Sequence, residues 1–517
     1  MGKMLLVGPY KNAGLRVGQY LSPPLGIYRI KSFIEKKTDW TVDVIDIDLK
    51  GKKYLIDLLK KKYDIIGFSL LQPTLKNDIG IINEAKKLSP DSLLIAGGQG
   101  AVFNYSLILN KTPVNAVVRG FGEFALLELI NNLNQLQRVK GIFYKEGNKV
   151  IETSRKEPYN YEEFREISLS FDFDKVLYEE YWEYMERFYT KKHLKIMKNE
   201  DFLYTIRVMT SSHCPGKCAF CSSTNFLDNI SCRMHQRIAL TAEDAYILVR
   251  NALRNHPKCR AIYFNDDDFL FDKERIRKLC RLLKNIHGIS YFCLSRLDNA
   301  DEKLLRSMRE AGFKFIIYGV ESFSNKILKD MHKNLAYKNS MEQSKEAVKK
   351  TIRAGITPLM NLILFFPTTS VKDIIETIEN TLELVECGAR LTVYPYIEAY
   401  PGSNILKQPS LNLTYEKFHA GKNEFRLPLL ILPSSDEIRL LASKSIKLRG
   451  ESADKFLRKY NWKGVVPHPL HGLTLFLAVY RVLGFNTDRI EHLIDKMMLE
   501  ESKQAITHEA IKTEVAS

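Results

Sequence analysis

Short apolar segments alternate with amphipathic segments in two long series along this chain of 517 residues. In the first 150 residues the apolar segments are KMLLVGPY, TVDVIDID, DIIGFSLL and SLLIAGG, followed by the start of NAVVRGFGEFALLELINNL. The stretches between them, such as PPLGIYRIKSFIEKK, carry apolar residues at helical spacing. Strands that alternate with helices predict a parallel sheet with helices on its faces. We therefore expect an α/β domain over residues 1–150, with its ligand at the carboxyl ends of the strands.

The second series predicts another α/β domain over residues 203–405. Its apolar segments are LYTIRVMTSS, CRAIYFNDDD, ISYFCLSR, FKFIIYGVES, ITPLMNLILFFP and ARLTVYPYIEAYP. Six strand–helix units in sequence predict a partial (β/α)6 TIM barrel, with chemistry at the carboxyl ends of its strands. Residues 151–202 form an acidic, aromatic-rich connector, and residues 406–517 are predicted to be a helical C-terminal domain.

Composition excludes several classes of protein. Eight cysteines in so long a chain do not make a disulfide framework. The first residues lack the pattern of a signal peptide, and no apolar stretch reaches the length of about 18 residues that spans a membrane, so we expect a cytoplasmic protein. The net charge of +16 comes from scattered lysines on apparent helices. No RNA-binding fingerprint or zinc-finger spacing accompanies this charge, so we expect a solvated basic surface and no nucleic-acid partner.

Three of the cysteines lie in one loop, SSHCPGKCAFCSS, as Cys214, Cys218 and Cys221 with the spacing C-x3-C-x2-C. Disulfide pairing would leave one thiol over. A closed zinc site needs four ligands, for which the adjacent His213 is badly directed and Cys232 is the better candidate. A [4Fe–4S] cluster with three protein ligands leaves one iron open to another molecule. Three buried core cysteines are the remaining alternative.

This loop, placed after the first strand of the second series, resembles the radical S-adenosylmethionine (SAM) superfamily, with Phe220 as the usual aromatic residue before the last cysteine. The resemblance implies that Cys214, Cys218 and Cys221 hold a [4Fe–4S] cluster whose open iron binds SAM. It also implies an external one-electron donor of the flavodoxin or ferredoxin type, whose electron cleaves SAM to a 5′-deoxyadenosyl radical.

Later segments agree with the resemblance. IYFNDDDFLFD is similar to the family segment after the second strand, which implies that Asp266 or Asp267 pairs with the SAM amino group. Arg296 ends the third strand and is expected to pair with the SAM carboxylate as a fork. YGVESFSNKILKDMHKN resembles the fourth-strand segment, in which Glu321 would accept hydrogen bonds from the ribose. The alternatives are turn or helix-cap carboxylates and a surface arginine.

The sixth strand supplies the candidates on the substrate side. Tyr394, Tyr396 and Glu398 follow it in YPYIEAYPGSNIL, where they would face the substrate as catalytic residues. The alternative for the tyrosines is packing. The fifth-strand segment, NLILFFPTTSVKD, lacks the glycine that the family usually has there.

The front domain resembles the cobalamin-binding branch of this superfamily, whose flavodoxin-like (Rossmann-type) domain precedes the barrel. Ser69–Leu71 matches its S-x-L element and Gly97–Gly98 its G-G element. The D-x-H-x-x-G element is missing, and the first histidine of the chain is His193, so no imidazole of this domain can bind cobalt. The alternative is a domain that has lost its ligand or binds another one. The cobalamin contacts that the resemblance implies are Ser69, Leu70, Leu71, Gly97, Gly98, Gly100, Gly120, Gly122, Glu123 and Pro24.

Together these features predict a cobalamin-dependent radical SAM methyltransferase that acts on an unactivated carbon or phosphorus. One alternative is a non-methylating radical cyclase, ring-rearranging or lipid-modifying enzyme on the same scaffold. Another is a non-catalytic iron–sulfur or zinc protein that binds a partner or carries electrons. We expect a monomer with a small-molecule, lipid or peptide substrate. The apolar segment 468–485 predicts either a buried helix or a peripheral membrane contact.

Overall fold

The computed structural model of the protein describes residues 2–11, 21–154, 160–187, 200–214, 216–223, 237–333, 340–460 and 468–499. These residues form two large sheets, a small third sheet and the helices around them. None of the helices in these ranges is long and apolar enough to cross a membrane.

The front of the chain forms a seven-stranded sheet in the order β2-β1-β3-β4-β5-β6-β7. Strands β1 to β5 are parallel, and their order 2-1-3-4-5 is that of flavodoxin-like folds, which confirms the predicted class. A hairpin of β6 and β7 extends the sheet in antiparallel fashion and was not predicted. The strands are Lys3–Val7 (β1), Thr41–Ile45 (β2), Ile65–Ser69 (β3), Leu93–Gly97 (β4), Ala116–Val118 (β5), Ile142–Glu146 (β6) and Lys149–Glu152 (β7).

Both faces of this sheet are buried by helices. Along β1, Met4 and Leu6 enter one apolar core while Leu5 and Val7 enter another, as the two-residue repeat of a strand requires. The carboxyl edge of the sheet is left for a ligand. The helices of this part are Leu25–Lys37 (α1), Ile47–Lys50 (α2), Lys52–Leu59 (α3), Leu75–Leu88 (α4), Gln99–Phe103 (α5), Tyr105–Lys111 (α6) and Gly122–Asn131 (α7).

The second sheet has six parallel strands in the order β13-β12-β11-β10-β9-β8, as expected of a partial barrel. Its strands are Thr205–Val208 (β8), Ala261–Phe264 (β9), Ser290–Ser295 (β10), Phe313–Glu321 (β11), Thr357–Ile363 (β12) and Arg390–Tyr394 (β13). Before and between them lie Tyr161–Leu169 (α8), Tyr178–Glu186 (α9), Glu200–Leu203 (α10), Ala242–Arg254 (α11), Lys273–Leu283 (α12), Glu302–Glu310 (α13), Asn325–Asp330 (α14), Ser340–Arg353 (α15) and Val371–Glu386 (α16).

Side-chain caps fix where the barrel helices begin. Helix α11 is capped by Thr241, α12 by Asp272, α13 by Asp301, α14 by Ser324 and α16 by Ser370, each accepting a hydrogen bond from a backbone N–H of the first turn. Such caps satisfy N–H groups that have no partner inside the helix. Each loop that follows a barrel strand therefore ends at a defined residue, the cap of the next helix. These loops form the mouth of the barrel.

The aromatic connector joins the two large sheets. The Tyr181 hydroxyl donates to Asp46, at the end of β2, over 2.7 Å. On the other side, His256 of the barrel contacts Glu179 over 2.7 Å and the Phe173 carbonyl over 3.0 Å. Since Tyr181 and His256 are both buried, the described part of the connector, residues 160–187, is part of the core.

The C-terminal region begins with a hairpin that the prediction of a helical domain omitted. Strands β15 (Asn412–Ala420) and β16 (Asn423–Leu432) are antiparallel, and β14 (Ile397–Glu398) joins them at the edge. The two-residue turn has Gly421 at φ 63°, a conformation that glycine adopts at little cost. The hairpin reaches back to the front domain, where Glu416 pairs with Lys76 over 2.8 Å.

The helices Asp436–Lys459 (α17) and His468–Leu483 (α18) follow the hairpin, and residues 488–499 are helical as well. Helix α18 packs against the outer strand β13, and a side chain at Gly472 would come within 2.9 Å of Leu391. Its apolar residues from Leu470 to Tyr480 are buried in the main core, of which Leu473, Phe476 and Leu477 are members. Burial in the main core therefore accounts for these apolar residues, as the first of the two predictions for the segment expects.

Candidate functional site

The cysteine loop follows β8 at the mouth of the barrel and is fixed by backbone hydrogen bonds. The Ala219 N–H donates to the Met331 carbonyl over 2.9 Å, and the Ile405 N–H donates to the Ala219 carbonyl over 2.8 Å. Cys218 is buried, while Cys214 and Cys221 are partly exposed. Two distant segments of the barrel thus hold the middle of the loop and leave its outer thiols accessible.

The chemistry around the thiols fits an anionic metal cluster. The Gly216 N–H donates to the Cys214 sulfur over 3.3 Å, as amides do to ligating thiolates. A side chain at Gly216 would lie 2.8 Å from Nη1 of Arg296, so the guanidinium lies directly against the loop. Burial raises the pKa of the Cys214 thiol to about 11, which a bound metal would reverse because it stabilises the thiolate.

The described residues contain no group of three His, Cys, Asp or Glu side chains arranged to hold a metal ion. The three thiols of the loop therefore lie on one segment but are not arranged as the ligands of a single metal ion. Of the proposed fourth zinc ligands, Cys232 lies outside the described residues. His213 is buried, and its Nδ1 contacts Ser212 Oγ over 2.8 Å.

The three consecutive aspartates after β9 have different surroundings. Asp266 is buried and accepts from the Thr210 N–H, the Thr210 hydroxyl and the Ser211 hydroxyl over 2.6–2.9 Å. Asp268 is fully buried and accepts from Ser295 and Asn299. The run of carboxylates indicated Asp266 or Asp267, and the structure leaves only Asp267 exposed.

Asp267 lies at the mouth of the barrel beside the cysteine loop. Its carboxylate accepts a hydrogen bond from the Ser223 hydroxyl over 2.7 Å. Although the residue reaches solvent, protein atoms surround much of its carboxyl group, and this burial raises its pKa. It is therefore the aspartate best placed to meet a cationic ligand.

The predicted arginine already has a carboxylate partner. Both Nε and Nη2 of Arg296 donate to Asp298, over 2.8–3.2 Å, and Nη2 also reaches the Lys333 carbonyl over 3.2 Å. The guanidinium keeps its Nη1 edge toward Gly216 in the cysteine loop. A ligand carboxylate would therefore share this arginine with Asp298.

Glu321 ends β11 in an unusual conformation. Its φ is 69°, in the left-handed region that costs a side-chain-bearing residue energy, and the pairing with β12 shifts register between Gly319 and Glu321. Its carboxylate accepts from Lys333 Nζ over 2.9 Å, and both side chains are about nine-tenths buried. Burial disfavours the charged lysine, but Glu321 and Cys218 outweigh it and raise the pKa of Lys333.

Lys333 was not predicted from the sequence, because a lysine in a polar loop carries no local signal of burial. The Glu321–Lys333 pair packs against Gly319, where a side chain would lie 2.6 Å from the Glu321 carboxylate and 2.9 Å from Lys333 Nζ. A buried cation beside a strained carboxylate is a common feature of ligand sites.

Tyr394 lies 51% exposed at the end of β13. Burial, and then the nearby carboxylates of Glu321 and Glu398, raise its pKa. Glu398 accepts a hydrogen bond from Tyr400, and this bond adds to burial in raising the Tyr400 pKa. Tyr396 instead packs against buried Phe365 with ring centroids 6.0 Å apart, so it is placed mainly by packing.

A cavity of about 600 Å³ lies at the carboxyl edge of the front sheet, where it meets β8 and β9 of the barrel. Of the predicted cobalamin contacts, Leu70, Gly100 and Pro24 are not part of its lining. Residues that sequence analysis did not single out, among them Arg29 and Gln99 of the front domain and Arg207 and Asn265 of the barrel, also line it. The predicted contacts that do line it are Ser69, Leu71, Gly97, Gly98, Gly120, Gly122 and Glu123.

The turn after β4 explains why small residues are needed at this edge. Gly98 has φ 87°, and a side chain there would come within 2.8 Å of the Leu70 carbonyl. Leu70 and Gly100 are buried and support this turn from behind, which is their role in place of direct lining. Glu123 is buried and paired with Arg29, so both charges at the cavity wall are neutralised.

The cysteine loop touches both domains directly. Ser222, next to Cys221, donates to the Gln99 side chain of the cavity over 3.3 Å. Ser223 donates to Asp267 of the barrel mouth. One short segment therefore connects the thiols, the front-domain cavity and the open aspartate.

Comparison with known families agrees with this arrangement. Residues 208–380 match the radical SAM superfamily, and residues 12–130 match the B12 binding domain. The two regions contain the cysteine loop and the glycine turns of the cavity, respectively.

Among curated proteins, an uncharacterized methyltransferase of Pyrococcus horikoshii is 27% identical over 413 residues, which is 78% of this chain and 82% of that protein. The anaerobic magnesium-protoporphyrin IX monomethyl ester cyclase of Rubrivivax gelatinosus is 23% identical over 479 residues, 89% of this chain and 76% of the cyclase.

Among solved structures, the cobalamin-dependent SAM radical enzyme OxsB, with aqua-cobalamin and SAM bound, aligns with a TM-score of 0.66 at 17% identity, covering 100% of this chain and 80% of OxsB. The radical SAM methyltransferase TsrM of Kitasatospora setae, with tryptophan and a SAM analogue bound, aligns with a TM-score of 0.66 at 13% identity, covering 99% of this chain and 100% of TsrM. At these identities the likeness shows a shared fold.

Proposed function

The chain belongs to the cobalamin-dependent radical SAM enzymes, and from this premise we propose that it methylates an unactivated carbon or phosphorus atom of a small molecule. Such enzymes use a [4Fe–4S] cluster, SAM and cobalamin. The cluster supplies one-electron cleavage of SAM, and cobalamin carries the methyl group.

The residues of this chain divide the binding work between them. Cys214, Cys218 and Cys221 would hold the cluster, with the Gly216 amide stabilising thiolate charge. Asp267 would pair with the amino group of SAM, because it is the one aspartate of its run that is exposed at the mouth. The Glu321 carboxylate, which now accepts from Lys333, would accept hydrogen bonds from the ribose hydroxyls of SAM as well.

Cobalamin would occupy the front-domain cavity. The lining of small residues suits a long tail between strand ends, since glycines permit close backbone approach. Tyr394, which ends the sixth barrel strand, and Glu398, which follows it, would contact the substrate. Their carboxylate and hydroxyl groups offer hydrogen bonds that orient a polar molecule.

The observation that carries the proposal is the double contact of the cysteine loop. Ser222 touches Gln99 of the cavity while Ser223 touches Asp267 of the barrel mouth. Methyl transfer to a substrate radical requires the radical-generating site and the methyl carrier to reach the same atom. Because Ser222 and Ser223 are adjacent, their contacts support a short distance between the front-domain cavity and the barrel mouth.

A non-methylating radical reaction is the second candidate. It is favoured by the likeness to the monomethyl ester cyclase, which extends over 89% of this chain. The scaffold and the cofactors are common to both reactions, so the products of SAM distinguish them. Methylation of cobalt converts SAM to S-adenosylhomocysteine, whereas radical cleavage converts it to methionine and, after hydrogen abstraction, 5′-deoxyadenosine.

The test is an anaerobic incubation of the full chain, reconstituted with iron, sulfide and cobalamin, with SAM carrying a deuterated methyl group and a chemical reductant. The proposal predicts that both S-adenosylhomocysteine and 5′-deoxyadenosine form, and that deuterated methylcobalamin appears. Formation of 5′-deoxyadenosine alone would favour the second candidate. If neither product forms, the proposed function is wrong.

A further inference from the structure

The buried carboxylate of Asp268 connects the loop after β9 to the end of β10. It accepts from the Ser295 hydroxyl over 2.6 Å and from the Arg296 N–H over 3.2 Å. Asn299, in the turn that follows β10, donates its side-chain amide to both carboxylate oxygens over 3.0–3.1 Å. One fully buried side chain therefore ties the run of aspartates to the neighbouring barrel strand.

Arg237, which follows the cysteine loop in sequence, is the cationic partner of Asp268. Its Nη1 lies 3.7 Å from the Asp268 carboxylate, while its Nη2 donates to the Asp268 carbonyl and, over 3.2 Å, to the Ser211 hydroxyl. The Arg237 side chain is only 5% exposed, and its guanidinium lies 4.5 Å from the centre of the Phe271 ring. In the part of the chain that the structure describes, its Nε and Nη1 have no hydrogen-bond partner. A buried ion pair with unmade hydrogen bonds contributes little net stability, so stability alone does not account for this pair.

Asp268 contacts both of the residues that are expected to meet the amino-acid end of SAM. Asp267 precedes it in the chain, and the Asp267 carboxylate is exposed at the mouth of the barrel. Arg296 is bonded to Asp268 through its N–H, and its guanidinium lies against Gly216 of the cysteine loop. The amino and carboxylate groups of SAM are attached to the same carbon, so the groups that bind them must keep a fixed spacing. Asp268 is placed to set this spacing.

The other buried aspartate of the run, Asp266, has a different set of partners. Among the described residues, its carboxylate accepts from Thr210 and Ser211, in the segment after β8. These partners do not include Arg296. Asp266 therefore fixes the run of aspartates to β8 but does not link the two residues expected to bind SAM.

We propose that Asp268, paired with Arg237, is a positioning residue that sets the spacing between Asp267 and Arg296, and with it the affinity for the amino-acid end of SAM. This inference rests on the proposed function, which assigns Asp267 to the amino group of SAM. Asp268 acts through its two neighbours, because its own carboxylate is enclosed by protein donors and has no exposed surface.

The test compares the binding of SAM with that of 5′-methylthioadenosine, which keeps the adenosine and the methylthio group but lacks the amino and carboxylate groups. Equilibrium binding to the full chain, reconstituted with iron and sulfide, gives a selectivity ratio, the Kd of methylthioadenosine divided by the Kd of SAM. A loss of positioning at the amino-acid end lowers this ratio. A general loosening of the fold weakens the binding of both ligands.

Three variants are compared with wild type. D268N removes the charge of the positioning residue. N299A removes two hydrogen bonds from the same carboxylate and leaves no buried charge unpaired, so it gives the answer if D268N fails to fold. D244N is the matched control, since Asp244 of α11 is also a buried aspartate paired with an arginine, Arg165, over 2.7 and 3.0 Å.

We expect D268N to lower the selectivity ratio about tenfold, because SAM binds more weakly while the Kd of methylthioadenosine stays within about twofold of wild type. N299A should lower the ratio about threefold, since it leaves the other partners of Asp268 in place. D244N should unfold more easily than wild type in urea and keep the wild-type ratio.

A wild-type ratio in the folded Asp268 and Asn299 variants, or an equal fall of the ratio in D244N, would overturn the positioning role. Equal losses of affinity for both ligands in D268N would overturn it as well. Both results leave the proposed function standing as long as wild type binds SAM more tightly than methylthioadenosine. If wild type binds the two ligands equally, the SAM site of the proposed function is wrong, and the positioning role fails with it.

Discussion

At the residue scale, three consecutive aspartates have two different roles. Asp266 and Asp268 are enclosed by hydroxyl and amide donors, whereas Asp267 faces the barrel mouth. The sequence predicted the site from the run of carboxylates. It could not separate them, because Asp266 is defined by Thr210 and Ser211, which lie more than fifty residues earlier.

D267N should therefore weaken SAM binding by about ten- to a hundredfold, since it removes one charge-assisted contact worth about 1.5–3 kcal/mol. Equilibrium binding of SAM to the reconstituted protein measures this loss. D266N is the matched control. It should lower the free energy of unfolding by about 1–3 kcal/mol and leave the SAM affinity of the folded protein near that of wild type. The reverse pattern would assign the ligand contact to Asp266.

A second residue, Asp78, makes the free energy of unfolding depend on pH. Asp78 is buried in α4 and holds the end of the β1 loop by accepting from the Tyr10 N–H and the Thr74 hydroxyl. Burial raises its pKa to about 8, far above the value in an unfolded chain. Between about pH 4 and 8 the folded protein keeps this proton while the unfolded chain releases it, so this residue makes the protein less stable as pH rises.

D78N mimics the protonated acid and should remove that slope. Urea unfolding of wild type and D78N at pH 6 and pH 8 measures this slope. The free energy of unfolding of D78N minus that of wild type should be larger at pH 8 than at pH 6. Identical pH slopes in the two proteins would mean that Asp78 is ionised in the folded state, stabilised by its two donors.

At the element scale, the hairpin of β15 and β16 fastens the C-terminal region to the front domain. Phe425 is fully buried and stacks on Phe418, with ring centroids 5.0 Å apart, beside Lys76 of α4. F425A should cost about 3–5 kcal/mol of stability by leaving a cavity. Y415A, on the exposed side of the same hairpin, is the control and should cost less than about 1 kcal/mol. Thermal unfolding of both variants measures the difference, and equal losses would contradict the fastening role.

Sequence patterns predicted the parallel strands but not the hairpin of β15 and β16. The parallel strands were predictable because continuous apolar runs alternate with helical spacing. The hairpin was missed although its signal is present, since Gly421 lies between two runs of alternating residues. The sequence of helix α18 was compatible with a buried helix and with a peripheral membrane contact, and the structure shows it packed closely on β13 at Gly472.

At the scale of the whole molecule, the contact that joins the cysteine loop to the front-domain cavity is between residues far apart in sequence. Gln99 and Ser222 are 123 positions apart, and no local pattern predicts that they touch. The cysteine spacing and the glycine turns predicted two binding sites. Their proximity follows from the packing of two sheets through a buried connector, which a pattern of strands and helices leaves undetermined.

The central claim is that three cysteines hold an iron–sulfur cluster with one iron open to SAM. The direct measurement is metal analysis combined with electron paramagnetic resonance of the reduced, reconstituted protein, with and without SAM labelled with ¹⁵N in its amino group. The account predicts about four iron and four sulfide per chain, a spectrum that changes on SAM addition, and coupling of the label to the cluster. Bound zinc, or a cluster spectrum that SAM leaves unchanged, would contradict it.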